Sequence, residues 1–146
     1  KILDNITSKK IFVLGRNNSD IYSILSEELE LKGNKVLYKK KSYLDITFLT
    51  IHKSKGLEAD DVIIINFLDD MLGFPNKIKE ERIMRLVSKK EEDYPYAEER
   101  RLFYVGITRT KNTTYLMVPL NKHSIFIKEL ERDYKVSELV KFEKLL

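Results

Sequence analysis

Residues 62–67 read Val-Ile-Ile-Ile-Asn-Phe, with five apolar residues in six positions. Such a run has neither the alternation of a half-wet strand nor the stripe of a surface helix. It reads as a strand covered on both faces, the kind found in parallel sheets sandwiched between helices. Two further runs repeat the signal: Ile-Phe-Val-Leu at 11–14 and Ile-Thr-Phe-Leu-Thr-Ile at 46–51, the second rich in β-branched and aromatic residues. A short strand is expected at 35–38 and another at 113–118. Between the first two strands, Ile21, Ile24, Leu25 and Leu29 form a helical stripe, with Asn18 or Ser19 as its cap and Gly33-Asn34 as its stop. A helix is expected at 97–110 and another within 78–90. The tail from His123 carries helical stripes at Ile127 and Leu130, then at Val136, Leu139 and Val140. Strands alternating with helices imply one layered α/β domain with a largely parallel sheet. No repeat and no internal boundary divides residues 1–146.

The composition excludes several classes. At 146 residues, with 42% hydrophobic and 34% charged side chains, the chain can bury a core of its own. No apolar run approaches the ~20 residues needed to cross a bilayer. The chain has no cysteine and only two histidines, His52 and His123, so disulfides, thiolate metal sites and a structural zinc are not expected. The net charge of +4 is mixed along the chain and hints only mildly at a polyanionic partner. Its densest basic block, Lys39-Lys40-Lys41, reads either as a solvated loop or as added affinity for nucleic acid. The opening "KILDNITSKK" starts without methionine, and an excised piece of a longer protein is expected.

Neither Gly-x-x-x-x-Gly-Lys-Ser/Thr nor Gly-x-Gly-x-x-Gly occurs, so the chain lacks the main phosphate cradles. Three stretches still carry ligand chemistry, and loops at strand ends are where open α/β sheets bind ligands. In "TIHKSKGLEADDV", Thr50, His52 and Lys53 are donors suited to phosphates, Gly56 permits positive φ or close backbone approach, and Glu58 can accept from a sugar hydroxyl. The plain alternative is a capped turn between two strands. "GRNNSD" offers Arg16, Asn17 and Asn18, or simply caps a helix. In "AEERRLFYVGITRT", Arg109 falls within the apolar arc of Leu102, Phe103, Gly106, Ile107 and Thr110, if the helix holds that far. A guanidinium there is either paired with Glu98 or Glu99, or part of a fraying helix end, or presented to a phosphate.

"TIHKSKGLEADDVIIIN" resembles motif V of superfamily 1 helicases of the UvrD/Rep/PcrA type, and "EERRLFYVGITRTKNTTYLMV" resembles their motif VI. "VLGRNNSD" is similar to motif IVa, and "GFPN" at 73–76 leans toward the helicase-IV-like branch, which includes helicase-like factors associated with RNA polymerase. The resemblance covers roughly residues 10–120. It implies a RecA-like (P-loop NTPase-type) 2A domain, helices on both sheet faces, without its own P-loop. The usual 2B insertion is absent or minimal.

The resemblance further implies an ATP site shared with an N-terminal RecA-like domain of the same parent chain, which would supply the P-loop and the Mg2+ ligands. Arg109 would reach the γ-phosphate as an arginine finger, Glu58 would contact the ribose, and Gly56 would lie in the same loop. Thr50, His52 and Lys53, with Arg16 and Asn17, would face single-stranded DNA. The implied activity is ATP-driven 3′→5′ translocation by the parent, with this piece inactive alone. The alternatives are a factor that remodels RNA polymerase and a partner-binding module without catalysis. The implied setting is DNA repair in the cytoplasm, at the bacterial nucleoid, with no membrane partner.

Overall fold

The computed structural model describes residues 2–77, 94–119 and 123–134. Six strands make one sheet: β1 (Lys10–Gly15), β2 (Leu29–Lys32), β3 (Lys35–Tyr38), β4 (Asp45–Thr50), β5 (Ala59–Ile64) and β6 (Thr110–Leu116). Their order is β2-β3-β4-β1-β5-β6. β4, β1, β5 and β6 run parallel. The β2–β3 hairpin extends the sheet antiparallel beyond β4.

The apolar runs are the central strands, and they are covered on both faces as the sequence implies. In β1, Ile11 and Val13 enter one apolar cluster while Phe12 and Leu14 enter the other. β5 divides likewise, Ile63 to one side and Val62 and Ile64 to the opposite one. Helix α1 (Ile2–Asn5) lays Ile2 and Leu3 on the first face. Helices α2 (Ala97–Ile107) and α3 (Ile125–Asp133) cover the second through Leu102, Phe126 and Ile127.

Four phenylalanines lock α2 and α3 to that face. Phe74 stacks on Phe67 at 5.4 Å between ring centroids and meets Phe103 and Phe126 edge-on at 5.8 and 5.7 Å. "GFPN" is therefore a core anchor: Phe74 is fully buried, and a Cβ on Gly73 would lie 2.0 Å from the Leu68 carbonyl oxygen. Arg100 of α2 grips Glu129 of α3 through two bonds of 2.6 and 2.8 Å, and its guanidinium lies over the Phe126 ring.

One expected element is replaced. The stripe Ile21–Leu29 does not form a helix. A 3-10 turn at Asn18–Ser23 leads instead into the hairpin. Leu29 and Leu31 are half-buried while Glu30 and Lys32 are exposed, a period of two. Gly33, at φ +63°, and Asn34 form a two-residue loop between the paired Lys32 and Lys35. The expected helix stop is a hairpin turn, pinned to β4 where Phe48 N–H donates to the Asn34 carbonyl at 2.7 Å. The last strand begins at Thr110, three residues earlier than expected. The helix expected within 78–90 and the stripe at Val136, Leu139 and Val140 lie outside the described residues.

The lysine block belongs to the loop reading. Lys39 pairs with Glu30 and Lys40 with Glu28. Lys41 donates to the carbonyls of Leu3, Asp4 and Ile6.

Candidate nucleotide and nucleic-acid surfaces

β4 and β5 are parallel and β1 lies between them, so residues 51–58 must return along the sheet from one end to the other. Six strand residues span roughly 20 Å. The return is made without a long helix. It starts with Ile51, which is fully buried in the α2-side cluster, and makes a 3-10 turn at His52–Ser54. Ser54 is buried too, its hydroxyl donating to the Ile51 carbonyl at 2.7 Å. Leu57 N–H then donates to the Ser54 carbonyl, and Gly56 takes φ +81°. Gly106 of α2 gives this segment room: a Cβ there would lie 3.0 Å from Ile64 and 3.5 Å from Ile51. The segment is thus anchored to the α2 side through Ile51 and Ser54, while its other residues are exposed.

The candidate residues separate into two groups at opposite ends of the sheet. At the carboxyl end, Gly15 and Thr50 are register partners, and Ile51 N–H donates to the Gly15 carbonyl at 2.9 Å. Arg16, Asn17, Thr50, His52 and Lys53 therefore cluster there. They are not equally available. Arg16 is clamped to Glu99 of α2 by Nε bonds of 3.0 Å to both carboxylate oxygens and an Nη2 bond of 2.7 Å. Glu99 also accepts the Asn76 backbone N–H at 2.9 Å. Asn17 donates its side chain to the Leu72 carbonyl and its backbone N–H to Asp20. Thr50 is buried, and its hydroxyl oxygen accepts from Lys53 N–H at 3.4 Å. His52 and Lys53 are exposed, and neither side chain has a partner among the described residues.

At the amino end, Ala59 and Thr110 are register partners, and Ala59 N–H donates to the Arg109 carbonyl at 3.0 Å. This sets Glu58 and Arg109, each one residue before its strand, side by side. Arg109 is not on the helix as expected. α2 ends at Ile107, because the Thr108 hydroxyl turns back to the Tyr104 and Val105 carbonyls and Arg109 N–H closes a tight turn on Gly106. The guanidinium donates to the Val105 carbonyl at 2.9 Å, to the Thr108 hydroxyl at 3.0 Å and to the Leu57 carbonyl at 3.4 Å. The expected pairing with Glu98 or Glu99 does not form: Glu98 meets Arg101 and Glu99 meets Arg16. Part of the guanidinium fork is left over. Glu58 is exposed, without a partner among the described residues.

The rule that open α/β sheets bind at strand carboxyl ends thus fits the first group only. An arginine with no carboxylate partner among the described residues, an exposed carboxylate and a glycine at positive φ, close together, combine a donor for phosphates with an acceptor for sugar hydroxyls. Among the described residues, no group of His, Cys, Asp and Glu could hold a metal ion, and no helix is long and apolar enough to cross a membrane.

The family described as the UvrD-like helicase C-terminal domain matches residues 16–121, a span holding both groups. The chain belongs to that family. Among curated proteins, it is 39% identical over 88 residues to DNA helicase IV of Escherichia coli (strain K12), covering 60% of this chain and 13% of the relative. It is 32% identical over 98 residues to ATP-dependent DNA helicase PcrA of Staphylococcus epidermidis (strain RP62A), covering 60% of this chain and 12% of that protein. The chain therefore matches only about an eighth of the length of these relatives. The sequence does not announce the Arg16–Glu99 clamp, which joins residues 83 positions apart.

Proposed function

We propose that residues 1–146 form a single second RecA-like domain, with the 2B insertion absent or minimal, in an ATP-dependent 3′→5′ DNA helicase. The observation that carries the reading is Arg109, a cation with no carboxylate partner among the described residues, held against residues 57–58 at the amino edge of the sheet. The names of the relatives, a DNA helicase and an ATP-dependent DNA helicase, support the same reading. ATP, with its Mg2+, supplies the phosphoryl group whose transfer to water drives the motor, and an N-terminal RecA-like domain of the parent holds the rest of its site. Arg109 stabilises charge developing on that group, an arginine-finger role. Glu58 accepts from the ribose, and Gly56 keeps the backbone beside it open.

At the other edge, Thr50, His52 and Lys53 meet the backbone of single-stranded DNA, with Asn17 beside them. Arg16, already bonded to Glu99, serves that surface mainly by holding the turn in place. The segment 51–58 joins both surfaces, so movement at one is passed to the other through an anchored element rather than a loose loop. This domain alone, lacking the phosphate cradle, is inactive. DNA repair at the nucleoid is the setting that suits such a motor.

The test is ATP turnover by the intact protein with and without single-stranded DNA. DNA-stimulated turnover is expected, and Arg109→Ala should lower it on the order of 10³-fold while the variant still binds DNA. Near-normal turnover in Arg109→Ala would overturn the finger assignment. Turnover indifferent to DNA in the wild-type protein would overturn the motor reading.

A further inference from the structure

A groove of about 330 Å³ opens at the carboxyl end of the sheet, between the 3-10 turn Asn18–Ser23 and the tip of the β2–β3 hairpin. Ile21, Leu31 and Phe48 give it apolar walls, Asn34 stands at the hairpin side, and Tyr22 and Lys53 line its rim. That size falls at the lower end of small-ligand sites, about 300–1,000 Å³. Tyr22 is 69% exposed, on a turn held by hydrogen bonds around Asp20. The buried Asp20 beside it accepts from Asn17 N–H at 2.8 Å and from Asn66 Nδ2 at 2.9 Å, and the Ser23 hydroxyl closes on the Asp20 carbonyl at 2.7 Å. A Cβ on Gly15 would meet Asp20 at 2.9 Å, so the turn and the strand end are packed in contact. The bonding fixes where the ring is presented, at the rim of the groove, so a ligand need not reorder the turn to reach it.

The rim also carries charge of one sign. Lys53 has no anionic partner among the described residues, unlike Lys35, Lys39 and Lys40 nearby in sequence, each of which has a carboxylate. An aromatic face, an apolar floor and an unpaired ammonium suit a base joined to a phosphate.

We propose that this groove is a nucleobase subsite, in which one base of single-stranded DNA stacks on Tyr22 while an adjoining phosphate meets Lys53. The proposal rests on the DNA-facing reading of the carboxyl edge and adds to it a base contact made by the 3-10 turn and the hairpin. Stacking tolerates any base, so the subsite grips without selecting sequence.

The experiment measures binding of the intact protein to labelled oligothymidylate and to an abasic strand of equal length, by fluorescence anisotropy. Tyr22→Ala should weaken oligothymidylate binding about 5- to 100-fold and leave the abasic strand unaffected, and Tyr22→Trp should keep wild-type affinity for both. Lys53→Ala should weaken both strands and flatten the salt dependence by about one unit of slope. Unchanged oligothymidylate binding in Tyr22→Ala, or equal loss on both strands, overturns the subsite. If Lys53→Ala still weakens both strands in that case, the DNA-facing reading stands without it. If no variant differs from wild type on either strand, both readings fall together.

Discussion

The two ends of the sheet handle charge in opposite ways. At the carboxyl end, Arg16 and Glu99 are matched to each other, their side chains only 21% and 10% exposed, with Asn76 completing the carboxylate's bonding. At the amino end, Arg109 takes carbonyl and hydroxyl partners, and Glu58 takes none among the described residues. Both arginines touch α2, so composition and helical position do not distinguish them. A desolvated ion pair that is fully bonded belongs to the fold, and breaking it leaves a charge stranded. An arginine with spare donors and no counter-charge contributes little to the fold and is suited to an anion from outside. The contrast fits Arg16 to a structural role and leaves Arg109 as the arginine open to the chemistry proposed above.

The sharpest way to break that assignment is Glu99→Ala. The change strands the Arg16 guanidinium and the Asn76 N–H, and it should cost about 3 kcal/mol in urea unfolding. Glu99→Gln, which keeps the Asn76 bond and weaker contacts to Arg16, should cost less than Glu99→Ala. If both variants unfold like the wild type, the clamp is not structural and Arg16 returns to the list of free cations.

Gly15→Ala comes next. Its new Cβ would press on the Asp20 side chain and the Asn17 carbonyl, at 2.9 and 3.1 Å. A loss of about 1–2 kcal/mol is expected from overpacking at this junction. The loss should appear as a lower urea midpoint at unchanged slope. A neutral result would mean that the turn yields easily and that Tyr22 is less rigidly mounted than the bonding around Asp20 implies.

How much of this was legible without coordinates depended on the range of the interaction. The central strands stood out because a parallel strand covered on both faces must be apolar on both, and Ile11–Leu14 and Val62–Ile65 are. The hairpin did not, because Ile21, Leu25 and Leu29 are four apart, a spacing that fits a helix stripe and equally an even-numbered strand repeat. The alternation through Leu29, Leu31 and the Gly33-Asn34 pair was the signal that could have found it. Arg109 was singled out by its motif, but it sits two residues past the end of α2 rather than on the helix. Glu99's true partner was not legible, since nothing local links it to Arg16.

A smaller effect is expected where α2 meets α3, through Arg100 beside the Glu99 clamp. Arg100 donates two hydrogen bonds to Glu129, and those bonds, followed by the attraction between the charges, hold the Glu129 carboxyl below its ordinary value. Burial pulls the other way and loses. A carboxyl depressed in the folded state stabilises fully above its unfolded value, near 4.5, and that contribution disappears as pH falls through the folded value. Glu129→Gln should therefore cost about 0.5–1 kcal/mol at neutral pH, and the difference should shrink as pH falls from about 4.5 through the folded value. Urea midpoints of both proteins across that range would check the sign. A difference that persists in acid would mean the contact works by packing on Phe126 rather than by charge.

The smallest expected effect decides the most. Arg109→Ala removes a cation that has no carboxylate partner among the described residues and whose three bonds go to the end of α2, its own turn and the Leu57 carbonyl. Thr108 keeps its hydroxyl bonds to Tyr104 and Val105, and the Arg109 carbonyl still accepts from Ala59, since both involve atoms the substitution leaves in place. The stability change should stay within about 0.5 kcal/mol, as for surface substitutions away from a network. Set against about 3 kcal/mol for Glu99→Ala, it would separate the two arginine sites by effect on folding alone, without any assay of ATP. A large loss on Arg109→Ala would mean that the guanidinium holds residues 57–58 and the end of α2 together. The fall in turnover expected for this variant would then report a damaged edge, and the finger assignment would need a charge-removing change that leaves the Leu57 contact intact.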